Sequence, residues 1–206
     1  MSLPTLPAIG AEFPFNFLHA EIIKYFTQKH DENKTKRAEF LEHTRNNEET
    51  RLIQKDRELF NHFALRGNAE TRLESLGFRV GYSLVEKVAR DMPRLATELD
   101  TMKFICKEFW TNAFGKQVDN LRTNHQQVDN LRTNHQSIYV VQDNKFITIS
   151  SFAEGTQYLK ESAMYLCFPA GVVRGALANL GIKCVVSAAV ETIPIVKFTI
   201  HLHKSS

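Results

Sequence analysis

Eight histidines and three cysteines are the side chains in this sequence best suited to catalysis or metal binding, and their spacing favours neither. His19, His30, His43, His62, His125, His135, His201 and His203 are scattered, with no HExxH or comparable ligand spacing among them. His201-x-His203 would place two imidazoles on one strand face, where a metal could bind, but the outward side of a C-terminal strand is the plainer reading. Cys106, Cys167 and Cys184 sit in apolar neighbourhoods without a CxxC pair. They read as reduced, buried thiols of a cytosolic protein, and would be nucleophiles only beside a base. Gly171-xxx-Gly175 lacks the flanking residues of a phosphate loop and suits close packing of a helix on a sheet. Arg174, on the same apolar stretch, is either a snorkelling surface residue or an interface anchor. No catalytic residue, metal site or cofactor is expected, and a chain of this kind reads as a binding or assembly component.

The elements that would position these residues follow from periodicity. Residues 1–12 read as a loose arm. Phe13–Lys29 carries Phe17, Leu18, Ile22, Ile23 and Phe26 at amphipathic spacing and predicts a first helix. Asp31–Glu58 holds fifteen charged residues in twenty-eight. It reads as a solvated helix with i,i+4 charge pairs or a disordered insertion, the weakly packed insertion (31–66) being favoured. Asn68 is a plausible N-cap for a helix through Leu73, Leu76, Leu84, Val85 and Val88. In it Gly77 and Gly81 form a flat strip that another backbone can approach, and Pro93 closes the segment. Leu95–Phe114 is apolar around much of its circumference and predicts a central buried helix, with Gly115 as its stop. Ile138–Val141, a turn at Asp143-Asn144 and a return through Phe146, Ile147 and Ile149 predict a hairpin. Glu154–Leu180 reads as helix with a boundary at Pro169, and Gly171, Gly175 and Ala178 make a stripe of small residues on it. Ile182–Val190 reads as a buried strand. Ile195–His203 turns Val196, Phe198, Ile200 and Leu202 inward at period two. The expected class is α+β, a four-stranded antiparallel sheet packed against helices on one face, in one domain over 1–206.

Length and composition agree with that. The 206 residues suffice for one core, 43% are apolar and 24% charged, and the net charge is only +3. This small charge argues against nucleic acid as partner. The start, MSLPTLPAIGAEFPF, has no basic beginning and three prolines, and reads as neither signal nor transit peptide. The longest apolar run, Met164–Val173, is too short to span a bilayer. One feature is unusual: QVDNLRTNHQ occurs at Gln117–Gln126 and again at Gln127–Gln136. Ten residues at 100° each leave the two copies about 80° apart on a helix, so one helix face cannot hold both. The copies contain few strong strand formers, so one copy of this duplicated decapeptide (117–136) is expected to lie outside the regular elements.

Three stretches carry a family resemblance: LESLGFRVGYSLVEKV (Leu73–Val88), LDTMKFICKEFWTNAFGKQVDNLRTNHQ (Leu99–Gln126) and FPAGVVRGALANLGIKCVVSAAV (Phe168–Val190). Together they resemble the small core subunits of TRAPP, the complex that tethers transport vesicles and activates Rab GTPases. The type resembled is called subunit six in animals and the thirty-three-kilodalton subunit in yeast. The resemblance implies an α/β plait whose members pair side by side through helical surfaces. This type would pair with the sister small subunit of the subunit-three type and join other TRAPP core subunits. It would serve as a non-catalytic scaffold in a Rab guanine nucleotide exchange complex of ER-to-Golgi and Golgi transport. The implied location is cytoplasmic, peripheral at the cis-Golgi and ER–Golgi vesicles, touching membrane and Rab only through the complex. The chain departs from the family in the charged insertion and the second decapeptide. Asp91–Thr97 also lacks the cysteine that is fatty-acylated in subunit three, so no covalent acyl group is expected.

Two other readings stand beside this one. A small apolar-ligand-binding module of the same fold needs a sizeable internal cavity, and a cysteine-dependent enzyme needs an exposed thiol beside a histidine. Under the assembly reading, the fifteen phenylalanines exceed what a core requires. Phe13, Phe17, Leu18 and Ile22 on the first helix, Gly77, Gly81 and Leu84 on the second, and Arg174 are the expected partner interface.

Overall fold

The computed structural model describes residues 12–44, 69–92, 95–125, 137–152 and 154–203. Asn68, Pro93 and the second decapeptide copy, for which roles were expected above, lie outside the described residues. Helix α1 spans Glu12–Thr44, well past the expected end at Lys29. The correction has a simple cause: no glycine or proline interrupts the sequence between Phe15 and Arg66. The polar half of α1 is also laced locally. Gln28 Nε2 donates to Glu32 Oε1, Lys29 meets Glu32, and Thr35 Oγ1 donates to the Asp31 carbonyl. At least Asp31–Thr44 of the expected insertion is therefore helix, with the side chains described over 31–36 largely exposed. At 1.5 Å per residue α1 is roughly 50 Å long. Its fully buried side chains, among those described, are His19 and Ile23, both in its N-terminal half.

Helix α2 (Ala69–Ala89) buries Ala69, Leu73, Gly77, Gly81 and Val85, one residue per turn on a single stripe. That stripe packs along α5 (Leu159–Asn179) in the most extensive helix–helix contact of the described fold. Between them in sequence, α3 (Glu98–Phe104), a π-helical segment (Ile105–Phe109) and α4 (Trp110–Phe114) form the central helix. It starts at the Thr97 cap, whose Oγ1 accepts from Asp100 N, and not at Leu95 as expected. Gly115, with φ 84°, ends it as expected. At the π segment the Cys106 carbonyl accepts the Val118 N–H from the returning chain.

The sheet has the order β1-β2-β4-β3, all antiparallel. Strand β1 is Asn120–His125, β2 Ser137–Asp143, β3 Cys184–Thr192 and β4 Ile195–Leu202. Thus the first decapeptide copy supplies a strand despite its few strong strand formers. Asn120 faces Gln142 and His125 faces Ser137 across the hairpin. With β1 on one side of β2 and β4 on the other, no slot remains for the expected strand at Phe146–Ile149. Those residues instead form successive turns, Ile149 N–H to Phe146 C=O and Phe152 N–H to Ile149 C=O, that drop Phe146 and Ile149 into the core. β4 shows the expected alternation, with Val196, Phe198, Ile200 and Leu202 buried. β3, expected to be buried, is an edge strand in which Val186 alone is fully buried. Pro169 is no boundary either, since α5 continues through it.

The core between central helix and sheet is aromatic. Trp110 lies 4.7 Å from Phe114 and 5.0 Å from Phe198, both edge-on, and Phe146 lies 5.2 Å from Phe198. Trp110 Nε1 donates to the Asp143 carboxylate, which also meets Lys116. Tyr139 donates to Glu98, tying β2 to the start of α3.

Candidate partner interface

Two of the expected interface residues are occupied within the chain. A Cβ added at Gly77 would lie 2.1 Å from the Phe168 carbonyl oxygen, and at Gly81 1.9 Å from that of Val172. The relation is reciprocal: at Gly171 it would meet the Glu74 carbonyl oxygen at 2.1 Å and at Gly175 that of Phe78 at 2.0 Å. Four glycines in two i,i+4 pairs thus let α2 and α5 approach backbone to backbone. The flat strip anticipated on α2 exists, but the backbone that approaches it is the chain's own, which removes Gly77 and Gly81 from the surface. The packing allowed by Gly171 and Gly175 is helix on helix, not helix on sheet.

Arg174 belongs to the same seam. Its Nε donates to Glu74 Oε1 at 2.9 Å, and its guanidinium lies 4.6 Å from the centre of the Phe78 ring. Further along, Asn179 Nδ2 donates to the Tyr82 carbonyl and to Glu86. Arg174 thus clamps two helices while its side chain stays 34% exposed.

What remains open is the outer side of α1. Phe17 is 64% and Leu18 60% exposed, and Tyr25 is 59% exposed. Ile22 is half-buried against the core. Leu18, Ile22 and Tyr25 stand at i, i+4 and i+7, one continuous stripe. Phe13 lies in the first turn of α1, but its side chain is outside the described residues. On the neighbouring α2, Val80 and Tyr82 are exposed and Leu84 is half-buried. Tyr25, Val80 and Tyr82 were missed in the sequence. The signal was there, since Tyr25 completes the α1 stripe and Val80 sits one turn from Leu76 and one from Leu84. Apolar side chains of this size, gathered at the surface, characterise contact surfaces.

α1 is held by an unusual residue. His19 is buried among Phe15, Tyr165 and Phe168, with ring centres 5.9, 5.6 and 5.5 Å away. Its Nε2 has no hydrogen-bond partner. Burial lowers its pKa to about 4 from 6.5. The unfolded chain takes up this proton below pH 6.5 while the folded chain resists until about pH 4, so stability falls through that window and is intact above it. The accumulated loss is about 3 kcal/mol. His19→Leu is expected to flatten this part of the stability–pH profile, measured by urea unfolding at pH 7 and pH 4.5; an unchanged slope would contradict it.

The thiols are poorly suited to catalysis. Burial pushes Cys106 up to about 12; burial first, then the charges of Glu70 and Glu74, takes Cys167 to about 11, and burial takes Cys184 to about 11 against the opposing charge of Arg174. His201 lies half-buried on β4 and His203 just past its end. Among the described residues no three His, Cys, Asp or Glu side chains gather as a metal site would need, and no helix is long and apolar enough to cross a membrane.

Comparison with known proteins gives this surface a context. Residues 15–203 match the family model described as transport protein particle (TRAPP) component. Trafficking protein particle complex subunit 6B of Homo sapiens is 49% identical over 138 residues, covering 67% of this chain and 81% of that protein. The subunit 6b of Danio rerio is 48% identical over 138 residues, covering 67% and 82%. Trafficking protein particle complex subunit 6A of Homo sapiens is 44% identical over 133 residues, covering 65% and 77%.

Proposed function

The chain belongs to the TRAPP component family, in its subunit-six type, and on that premise we propose that it is a non-catalytic assembly subunit. In this reading it pairs side by side with a sister small subunit of the subunit-three type, through α1 and the adjoining face of α2. The pair joins other TRAPP core subunits and so contributes to vesicle tethering and Rab nucleotide exchange in ER-to-Golgi and Golgi transport. The chain itself then resides in the cytoplasm, peripheral to cis-Golgi and vesicle membranes. The observation that carries the reading is the exposed apolar stripe of α1, with Phe17, Leu18 and Tyr25 each more than half open. An isolated domain gains nothing from leaving such side chains in water, whereas pairing removes them from it.

The scaffold role, as opposed to a catalytic one, is supported by the protonated state in which burial holds the three thiols. Tagged chain purified from cells under mild conditions is expected to bring down a subunit-three-type protein in equal amount. Recovery of the tagged chain without any TRAPP subunit would overturn the reading. The ligand-binding alternative would need an apolar cavity, whereas Trp110, Phe146 and Phe198 pack on one another between helix and sheet.

A further inference from the structure

The slot beside β2 is filled by a sequence that the chain carries twice. Every residue of Gln117–Gln126 recurs ten positions later in Gln127–Gln136, so each side chain that seats β1 has an identical counterpart. The seating contacts are made by the repeat itself. Val118 N–H donates to the Cys106 carbonyl and Asp119 N–H to that of Gln142, each at 3.0 Å. The Asp119 carboxylate accepts the Asn144 N–H at 2.6 Å, and Val118 and Leu121 pack on the core. Val128, Asp129 and Leu131 offer the same groups at the same spacing. Lys116, which stands ahead of the repeat, bonds to Asp119 at 2.7 Å, but both groups are part-exposed.

The register suits either copy. Asn120 faces Gln142 and Asn124 faces Ile138 across the hairpin. In the second copy the matching residues are Asn130 and Asn134, and because ten is even each side chain keeps its face. His135 could not then face Ser137 across Gln136 alone, so His135-Gln136-Ser137 would close the hairpin as a three-residue loop, a common length. The exchange moves ten residues from one connection to another. With the first copy seated, residues 116–117 lead into it and 126–136 close the hairpin; with the second, 116–127 lead in and 135–137 close it. One connection lengthens as the other shortens, and doubling a loop matters only about threefold. Against the second arrangement stand the left-handed third loop position at Ser137, about five- to thirtyfold, and the lost Lys116–Asp119 pair, about fivefold at most.

We infer that the repeat makes β1 an exchangeable strand: either copy fills the slot beside β2, and the ten residues left over are displayed at one end of that slot or the other. The first copy predominates, by about a hundredfold when those terms are combined. For a strand of six residues the two ends lie about 20 Å apart. A partner that contacts one end therefore selects one arrangement, which makes the repeat a two-position device.

Successive N–H groups of a strand point to opposite sides, so prolines at two adjacent positions remove at least one bond to β2. Leu121→Pro with Arg122→Pro disables the first copy, and Leu131→Pro with Arg132→Pro the second. The first-copy variant is expected to melt within about 10 °C of the wild type, the shift that a hundredfold penalty gives in a domain of this size. Its amide exchange should slow at residues 131–134. The second-copy variant should melt with the wild type and keep its protection at 121–124, and all four prolines together should melt well below both. Deletion of residues 127–136 leaves a single copy closed by the three-residue loop, and that protein should fold with Asn124 still paired to Ile138. A first-copy variant that melts as low as the fourfold one, the absence of slowed exchange at 131–134, or a deletion variant that does not fold would each overturn the inference.

Discussion

Gly81→Ala and Gly175→Ala are each expected to destabilise the protein by about 3 kcal/mol or more, at the upper end of what overpacking costs. Intrinsic helix propensity predicts the opposite sign, since alanine in a helix interior is favoured over glycine by about 1 kcal/mol. The structure decides between them. The new methyl carbon would sit 1.9 Å from the Val172 carbonyl oxygen in one case and 2.0 Å from that of Phe78 in the other. In both the obstacle is backbone, which has no rotamer to change, so the helices must separate. Separation would loosen the Arg174–Glu74 pair and the Asn179 contacts, and with them the seam that joins α2 to α5. Combining the two substitutions should leave little folded protein, because a domain of this size has only about 5–15 kcal/mol in hand. Urea unfolding of the single variants measures the effect; stabilisation by either would mean the helices are not in close contact.

Asp143→Ala is expected to cost about 3 kcal/mol as well, by a different route. The carboxylate is 1% exposed and fully engaged. Oδ2 accepts from Trp110 Nε1 at 3.1 Å, while Oδ1 meets Lys116 Nζ at 2.8 Å and accepts the Lys145 N–H at 3.0 Å. Removing it strands the indole N–H of a fully buried tryptophan. Lys116 is less affected, since it is part-exposed and keeps Asp119 at 2.7 Å. Asp143→Asn retains an acceptor and is therefore expected to recover a good part of the loss. Equal stability of the alanine variant and the wild type would show that the Trp110–Asp143 link does not hold the β2 end to α4. Thermal melts of the three proteins suffice.

Much of this fold could be read from the order of residues, and the exceptions have physical causes. The central helix, its Gly115 stop and the alternation of β4 were legible because local pattern and burial agree there. The first decapeptide copy was not, because LRTNH has weak strand propensity. It becomes a strand through its neighbour, since β2 offers a free edge with a matching register. Phe146 and Ile149 misled in the opposite direction, being strand-like in type but placed where both edges of β2 are taken. Close-approach glycines were visible at Gly77, Gly81, Gly171 and Gly175, but a single sequence cannot tell which backbone approaches. For that reason Gly77 and Gly81 looked like partner contacts when they bind one segment of the chain to another. Conversely, Phe17 and Leu18 were legible as surplus apolar groups, while Tyr25 and Val80 needed the packing of α1 on α2 to show which side faces out.

Pairing through α1 is the centre of the functional reading, and one measurement addresses it. Phe17→Glu with Leu18→Glu changes two side chains that are 64% and 60% exposed, so the monomer should fold and melt as the wild type does. Co-expressed with a subunit-three-type protein and purified through a tag on this chain, the wild type is expected to elute as a one-to-one pair. The double variant is expected to elute alone, with its circular dichroism unchanged. Undiminished pairing of a folded double variant would contradict the assignment of α1 as the surface through which this subunit joins its complex.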